Sequence, residues 1–530
     1  NLPSSYYDIW NADALGNNSS TLQSWYNSYN YWTASKANRQ IDWDRLYYAN
    51  TQAANQGHDA LYFIQAKHSD NLMFNMASTL SAKVTKRSTL VGGLVLGSNS
   101  NRHYQTMDDL LGASFFHNIN TYALGTYPAD DPRVQYDLNT AGPNNLGSLV
   151  YEGDKFGYDY KIEVMKGLLW TSYTAEMGRF QTMISGKLGQ TNMRRHGYMR
   201  NGMAANNSEG NSRIARFGEG GAKGSINFDA GKGHVFKIGV GYEWRPPMAN
   251  TAFIAPEICN DYVLNLGDEH VFSSEFSYQY QNAWMHANAY YSRLDHVTEW
   301  QNFYNDDSNS FTYLSMTGIE KEYYGIEAGL DFKVASFLNF KALGTISDAK
   351  NINNANVNYM LSKSAEVKKD YAYIKDMRES GTPLTIGSLA LDFHKSGWFV
   401  NLNANWYDRI YLSYSPSYRY KSSLKNRDML FNDEPLPGSV DQAKGHGGWM
   451  VDGSIGKSIR LKHGSLNFNL MVTNILNNRK IVSGGYEQSR SDYTLNKENE
   501  AKDRVYKFSK NPKKYYVFGT NGMFQVSYRF

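Results

Sequence analysis

The chain has 530 residues and a formal net charge of +4, from 54 Lys and Arg against 50 Asp and Glu. A balance this even leaves no electrostatic footprint for nucleic acid, and no such partner is expected. A single cysteine, Cys259, excludes an intrachain disulfide and any cysteine-based metal site.

Mean hydropathy is −0.58, and no apolar run approaches the ~18 residues of a membrane helix. The longest candidate, 90–96, is interrupted by Gly92 and Gly93. The outlier is aromatic content, with 41 Tyr, 25 Phe and 11 Trp making 15% of the chain. Aromatic girdles at two membrane interfaces would produce such enrichment, but so would a sugar-binding β-sandwich or propeller. The chain opens Asn1-Leu2-Pro3-Ser4, without an initiator Met or a secretory leader, and reads as a processed product or a fragment.

In chain order, residues 1–71 do not read as strands. Asn38 to Tyr48 has the form of a short helix with Asp42 or Asn38 as N-cap. Tyr6, Tyr7, Trp10, Trp25, Tyr26 and Trp32 crowd this region with further Tyr and Trp. Such rings either contact a ligand by stacking or build the small core that folds a long loop. From there on, period-2 alternation recurs. Leu72, Phe74, Met76 and Leu80 alternate with Asn75, Thr79 and Ser81, and Trp398, Val400, Leu402, Ala404 and Trp406 with Asn401, Asn403 and Asn405. The pattern predicts fifteen strands, at 72–84, 88–103, 156–176, 179–195, 214–230, 234–247, 265–281, 284–304, 311–334, 337–349, 384–394, 398–413, 446–461, 465–482 and 515–530. Tight connections at 85–87, 177–178, 231–233, 282–283, 335–336, 395–397 and 462–464 alternate with long ones at 104–155, 196–213, 248–264, 350–383, 414–445 and 483–514, with 305–310 the short exception. Short turns on one end and long loops on the other predict an all-β, transmembrane antiparallel up-and-down β-barrel with a hydrated lumen and long extracellular loops.

The last strand carries the same signal. Phe524, Val526, Tyr528 and Phe530 alternate with Gln525, Ser527 and Arg529, and the chain ends on an aromatic ring. A soluble protein protects such an edge, whereas a membrane barrel needs it as its closing, insertion-type strand. If Phe530 ends at the periplasmic side, counting back makes strand 72–84 run downward too, and residues 1–71 lie outside the cell.

Several segments resemble TonB-dependent outer-membrane receptors, in particular the large Bacteroidota type with a carboxypeptidase-regulatory-like extension. They are Leu264 to Glu269 followed by Glu275-Phe276-Ser277-Tyr278, Glu322 to Ala328, Val472 to Asn477, Gln40 to Trp43 and Pro246 to Ala249; the family's usual Asn-Pro start is absent from the first. The resemblance implies a plugged transporter in the outer membrane of a Gram-negative bacterium, importing a siderophore, haem, peptide or glycan. Plugged barrels of this kind have 22 strands, about seven more than are legible here. The chain is therefore expected to be the C-terminal barrel portion, 72–530, preceded by an extracellular segment, 1–71, with plug and first strands absent. Implied partners are outer-membrane lipid and lipopolysaccharide, the TonB energy complex through the plug, and a surface lipoprotein as a candidate. The alternatives are a receptor-like scaffold subunit of a larger outer-membrane complex, and a soluble carbohydrate-binding β-protein.

Nothing points to an enzyme or a cofactor. The Gly-rich run Gly218 to Ser225 places its Lys before the Gly and leads into a strand, unlike a phosphate loop. A strand with close backbone approach fits it better. His234, His270, His286, His296 and His394 match no metal spacing and read as lumen or interface residues. Asp130-Asp131 and Asp306-Asp307 read as solvated loop acids rather than a calcium site, and 497–514 as a charged loop near anionic head groups. No Gly-x-Ser-x-Gly run or other nucleophilic set stands out.

Overall fold

A computed structural model describes residues 19–530 except 143–146, 282–283, 306–307, 309, 365 and 488–511. Tyr6, Tyr7, Trp10, the 282–283 turn, Asp306-Asp307 and most of the charged 497–514 loop lie outside the described residues.

The dominant element is an antiparallel sheet of 18 strands. Fifteen of them form a wall: β1 Ile64–Thr85, β2 Ser88–Asp109, β3 Lys155–Met177, β4 Phe180–Gly197, β5 Ala215–Gly231, β6 His234–Arg245, β7 Glu269–Tyr280, β8 Met285–Asn305, β9 Ser310–Ala335, β10 Leu338–Asn351, β11 Thr385–Lys395, β12 Trp398–Asp408, β13 Gly448–Leu461, β14 Gly464–Thr473 and β15 Asn521–Arg529. Each wall strand pairs with its neighbour in sequence, from β1–β2 to β14–β15. This up-and-down order is the one predicted, and each predicted strand overlaps one wall strand. Among the described residues, β1 and β15 have no partner on their outer edges.

Alternation sorts the two faces. Leu188 and Ile184 of β4 are 65% and 68% exposed, as an apolar face turned to lipid requires and a water-soluble surface avoids. The opposite face carries ion pairs between strands, Lys187–Glu243 at 2.6 Å and Lys166–Glu219 at 2.9 Å. The lumen-side asparagines of β12 are satisfied by neighbours: Ser388 donates to Asn405 at 2.7 Å and Asn401 donates to Asp392. Aromatic rings mark both ends of the lipid face. Near the turns, Phe180 stacks on Phe228 and Phe337 meets Phe393. Higher up, Trp406 meets Trp449. On β12 the girdle residues Trp398 and Trp406 are eight positions apart, roughly 26 Å of strand, close to the ~25 Å apolar band of such barrels.

Two of the turns at the near end are two-residue hairpins made possible by left-handed backbone. Ser396 and Gly397 have φ of 52° and 79°, and Lys232 and Gly233 have φ of 54° and 87°. The Gly-rich stretch is an ordinary part of β5: a Cβ on Gly220 would sit 2.4 Å from the Trp244 ring. That is the close approach expected of a strand glycine.

Three expectations are corrected. β1 starts at Ile64 rather than 72, because 64–71 pairs with 101–109 of β2. The extra residues, Gln65 to Asn71, rise above the lipid band, so they carry no apolar alternation and read as loop. The 350–383 loop contains a hairpin, Ala355–Leu361 with Val367–Ala372, which extends the upper end of β9. The described residues before β1 hold two α-helices, α1 Ser19–Ala34 and α2 Trp43–Asn55, of which only α2 was legible. Asp42 caps α2, its side chain accepting from Arg45 N at 3.1 Å.

The buried core lies in the crown at the long-loop end rather than in the wall. One cluster joins Ala123, Val134, Met203, Ile254, Ala255, Ile258, Cys259, Val263, Tyr313 and Met360, from four loops and β9. A second joins Leu314, Met316 and Ile319 to Val357, Ile374 and Tyr420.

Candidate functional site

The loops are fixed to one another by buried polar groups. Asn50 of α2, fully buried, accepts from Leu61 N (3.0 Å) and Tyr62 N (3.1 Å), and donates to Tyr62 O and Leu110 O (both 2.6 Å). One side chain thus fastens helix, incoming chain and the top of β2. On the far side, Arg419 and Glu487 are both fully buried and form a bidentate pair of 2.6 and 2.9 Å. Arg419 also donates to Ser415 O and Asp441 O, while Glu487 accepts from Ser415 N and Ala443 N.

Beside the Asn50 anchor the crown holds an open cavity of about 1050 Å³, at the upper end of the ~300–1,000 Å³ range of small-molecule sites. Eleven of its 29 lining residues are aromatic, Trp43, Tyr122, Tyr136, Tyr158, Trp300 and Tyr313 among them. Its polar side chains are mostly uncharged, Gln65, Gln105, Asn120, Asn201 and Asn302 among them, with Glu257 the one carboxylate and Lys67 the one ammonium of its lining. The 246–268 loop places Glu257. Arg195, buried at the top of β4, donates to Pro256 O at 2.8 Å, Ser208 O at 2.8 Å and Asn260 Oδ1 at 2.5 Å. Its guanidinium lies over the Tyr160 ring at 5.0 Å, and burial lowers its pKa to about 10, leaving it charged at neutral pH. From the cavity side, Tyr313 donates to Glu257 Oε2 at 2.6 Å, and Trp300 donates to Ile254 O at 2.8 Å. The hydroxyls of Tyr136 and Tyr313, both above the lipid band, are pushed well up by burial and then by the Glu257 charge. They stay protonated, able to donate hydrogen bonds.

The residues singled out from sequence are not brought together at this cavity. Trp32 is buried, at 7% exposure, against Tyr31, Tyr26 is exposed, and Trp25 belongs to α1. Trp43, one of the further aromatic residues of the first segment and the end of the Gln40 to Trp43 motif, does line the cavity. Phe524, Val526, Tyr528 and Phe530 lie on the exposed apolar face of β15 and its end. No cluster of metal-ligating residues forms among the described residues. His270 and His296 approach ring to ring at 5.5 Å, and Tyr242 Oη meets His270 Nδ1 at 2.7 Å. Asp131 chelates Arg133, which lowers its pKa to about 2. Glu257 and Tyr313 were missed because they are 56 positions apart in sequence, and no spacing rule links a loop acid to a tyrosine on a later strand. In the Val472 to Asn477 stretch, Asn474 has φ 49° and donates to Asn478 O and Phe518 O while its N–H reaches Asp452, a knot at the top of β14.

No protein-family model and no curated relative matches the chain. Among solved structures it is similar to the ferric citrate transporter FecA in the unliganded form, with TM-score 0.54 and 10% identity over 88% of this chain and 55% of that one. It is similar also to the copper transporter OprC, with TM-score 0.53 and 10% identity over 88% of this chain and 59% of that one. The chain thus spans little more than half the length of these structures. At such identity the likeness speaks to fold alone, and the fold is the antiparallel up-and-down wall of a transmembrane β-barrel, crowned by its long loops.

Proposed function

We propose that this chain is the C-terminal barrel portion of a TonB-dependent outer-membrane receptor that imports a nutrient, and not an enzyme. The observation that carries the reading is a lipid-facing, ion-paired wall whose long loops fold into a crown that holds a large cavity rich in aromatic side chains. A structural barrel has no need of such a chamber. The unpartnered edges of β1 and β15 support pairing with about seven further strands of the same receptor, which would complete the 22-strand plugged barrel. On this reading residues 1–63 and the long loops face the outside, where lipopolysaccharide and a surface lipoprotein are the neighbours. The TonB energy complex acts through the plug. The motif resemblance favours the Bacteroidota type, with siderophore, haem, peptide and glycan as cargo classes.

The test is uptake by cells carrying the complete gene. Accumulation of cargo should require the receptor and stop when the TonB complex is deleted or the proton gradient is collapsed. Uptake that survives both losses would refute active transport. A receptor that co-purifies with surface lipoproteins but moves no cargo would favour the scaffold role. A complete gene encoding only a signal peptide upstream would refute the missing strands.

A further inference from the structure

We infer that the crown cavity recognises a small organic cation, an apolar or aromatic body bearing one ammonium or guanidinium group, through the carboxylate of Glu257. This deepens the transport reading and rests on it.

The argument starts from what Glu257 does not need to be. Its visible structural duty is to accept one hydrogen bond from Tyr313. A neutral acceptor performs that duty equally well; the same loop uses the backbone carbonyl of Ile254 to hold Trp300. Glu257 is half-buried in the cavity wall, and proteins commonly place a counter-charge beside a carboxylate that gives up part of its hydration. Among the described residues no Lys, Arg or His lies within ion-pair distance of Glu257. Arg195, which holds the same loop, is committed to Pro256 O, Ser208 O and Asn260 and lies over the Tyr160 ring. Lys67 lies over the Tyr158 ring at 5.9 Å. Yet the carboxylate is held firmly: the carbonyl before it is fixed by Arg195 and its own Oε2 by Tyr313. A preorganised anion with a second oxygen to spare fits a ligand cation.

The surroundings supply the second half of cation recognition. Trp300 and Tyr313 meet at 6.4 Å, and Tyr136 and Tyr158 line the same chamber. Ring faces attract ammonium and guanidinium groups, most strongly when desolvated. Lys67 sets the limit: a second positive charge directed towards β1 would be repelled, so one cationic group is favoured over a polycation.

The test uses the complete receptor in detergent, titrated with phenethylammonium and with its neutral isostere phenethyl alcohol, followed by tryptophan fluorescence and calorimetry. The ammonium should bind at least about tenfold more tightly than the alcohol. Glu257→Gln keeps an acceptor for Tyr313 and should erase that preference while leaving alcohol binding within about twofold. Tyr313→Phe, which frees the carboxylate to swing, should reduce the preference only in part. Equal binding of the two probes, no saturable binding of the ammonium, or an unchanged preference in Glu257→Gln would overturn the inference. These outcomes differ from failure of the transport reading. TonB-dependent uptake of a neutral or anionic cargo, unaffected by Glu257→Gln, would preserve the transporter and remove the cation site. Cation binding without any uptake would do the reverse.

Discussion

Replacing Arg419 with Ala should release the crown locally while leaving the wall intact. The guanidinium is fully buried, and its pair with Glu487 ties the 409–447 loop to the strand Val482–Glu487. Truncation leaves a buried carboxylate without its cation, and the carbonyls of Ser415 and Asp441 without a donor. Removing one partner of a buried pair costs about 3–5 kcal/mol. The Glu487 carboxylate also accepts from Ser415 N and Ala443 N, at 3.0 Å each, so these amides report directly on the latch. If loop opening governs their hydrogen exchange, 3–5 kcal/mol corresponds to exchange faster by roughly 150- to 5,000-fold. Amides in the middle of β12 and β13 should change by less than about threefold, because the wall does not depend on the latch. The Arg419→Met, Glu487→Leu double variant removes both charges together but also the acceptor of the Ser415 and Ala443 amides, so recovery is read at the neighbouring Leu412 amide, which donates to Ala443 O at 2.9 Å and should regain much of its protection, since an apolar pair of similar volume is often nearly neutral. The reasoning fails if Arg419→Ala leaves the Ser415 and Ala443 amides protected, or if the Leu412 amide exchanges faster in the double variant than in the single one.

Three further outcomes are expected. Asn50→Ala strands two N–H groups and two carbonyls at the α2–β2 junction; it should cost about 2–4 kcal/mol locally and speed tryptic cleavage at Arg45 severalfold, with wall stability unchanged. Leu402→Lys puts a charge between the Trp398 and Trp406 girdles and should destabilise the folded barrel by about 2–4 kcal/mol in lipid refolding assays. Asn403→Lys, one residue on and facing the lumen, should cost under about 1 kcal/mol; equal effects would refute the assignment of faces. Burial pushes the Cys259 thiol from its ordinary value near 9 up to about 12. The folded crown therefore keeps a proton that the unfolded chain releases, so the thiol leaves stability unchanged below pH 9 and lowers it progressively between pH 9 and 12. At pH 8 iodoacetamide should alkylate Cys259 at least about 100-fold more slowly in the folded protein than in denaturant; comparable rates would show the loop to be open.

What could be read from the sequence follows from where each residue sits relative to lipid and water. The wall was legible because every second side chain answers to a different solvent. Trp398 to Trp406 against Asn401 to Asn405 is a local code, complete within one strand, and tight turns such as Ser396-Gly397 punctuate it. The code fails where the strand leaves the bilayer. Gln65 to Asn71 of β1 and the 355–372 hairpin are as regular as the wall, but both of their faces meet water or other loops. The crown is illegible for a deeper reason. Its core joins Ala123, Ile254, Tyr313 and Met360, residues that share no period because the wall, not the local chain, brings them together. An ordinary globular domain hides its core inside its sheets and displays function on its loops; here lipid serves as the wall's apolar partner, so burial and candidate chemistry fall on the same loops. That places Glu257 in the one region where sequence pattern carries least, and makes the fixation of its loop by Arg195 and Tyr313 the structural fact on which the cargo reading turns.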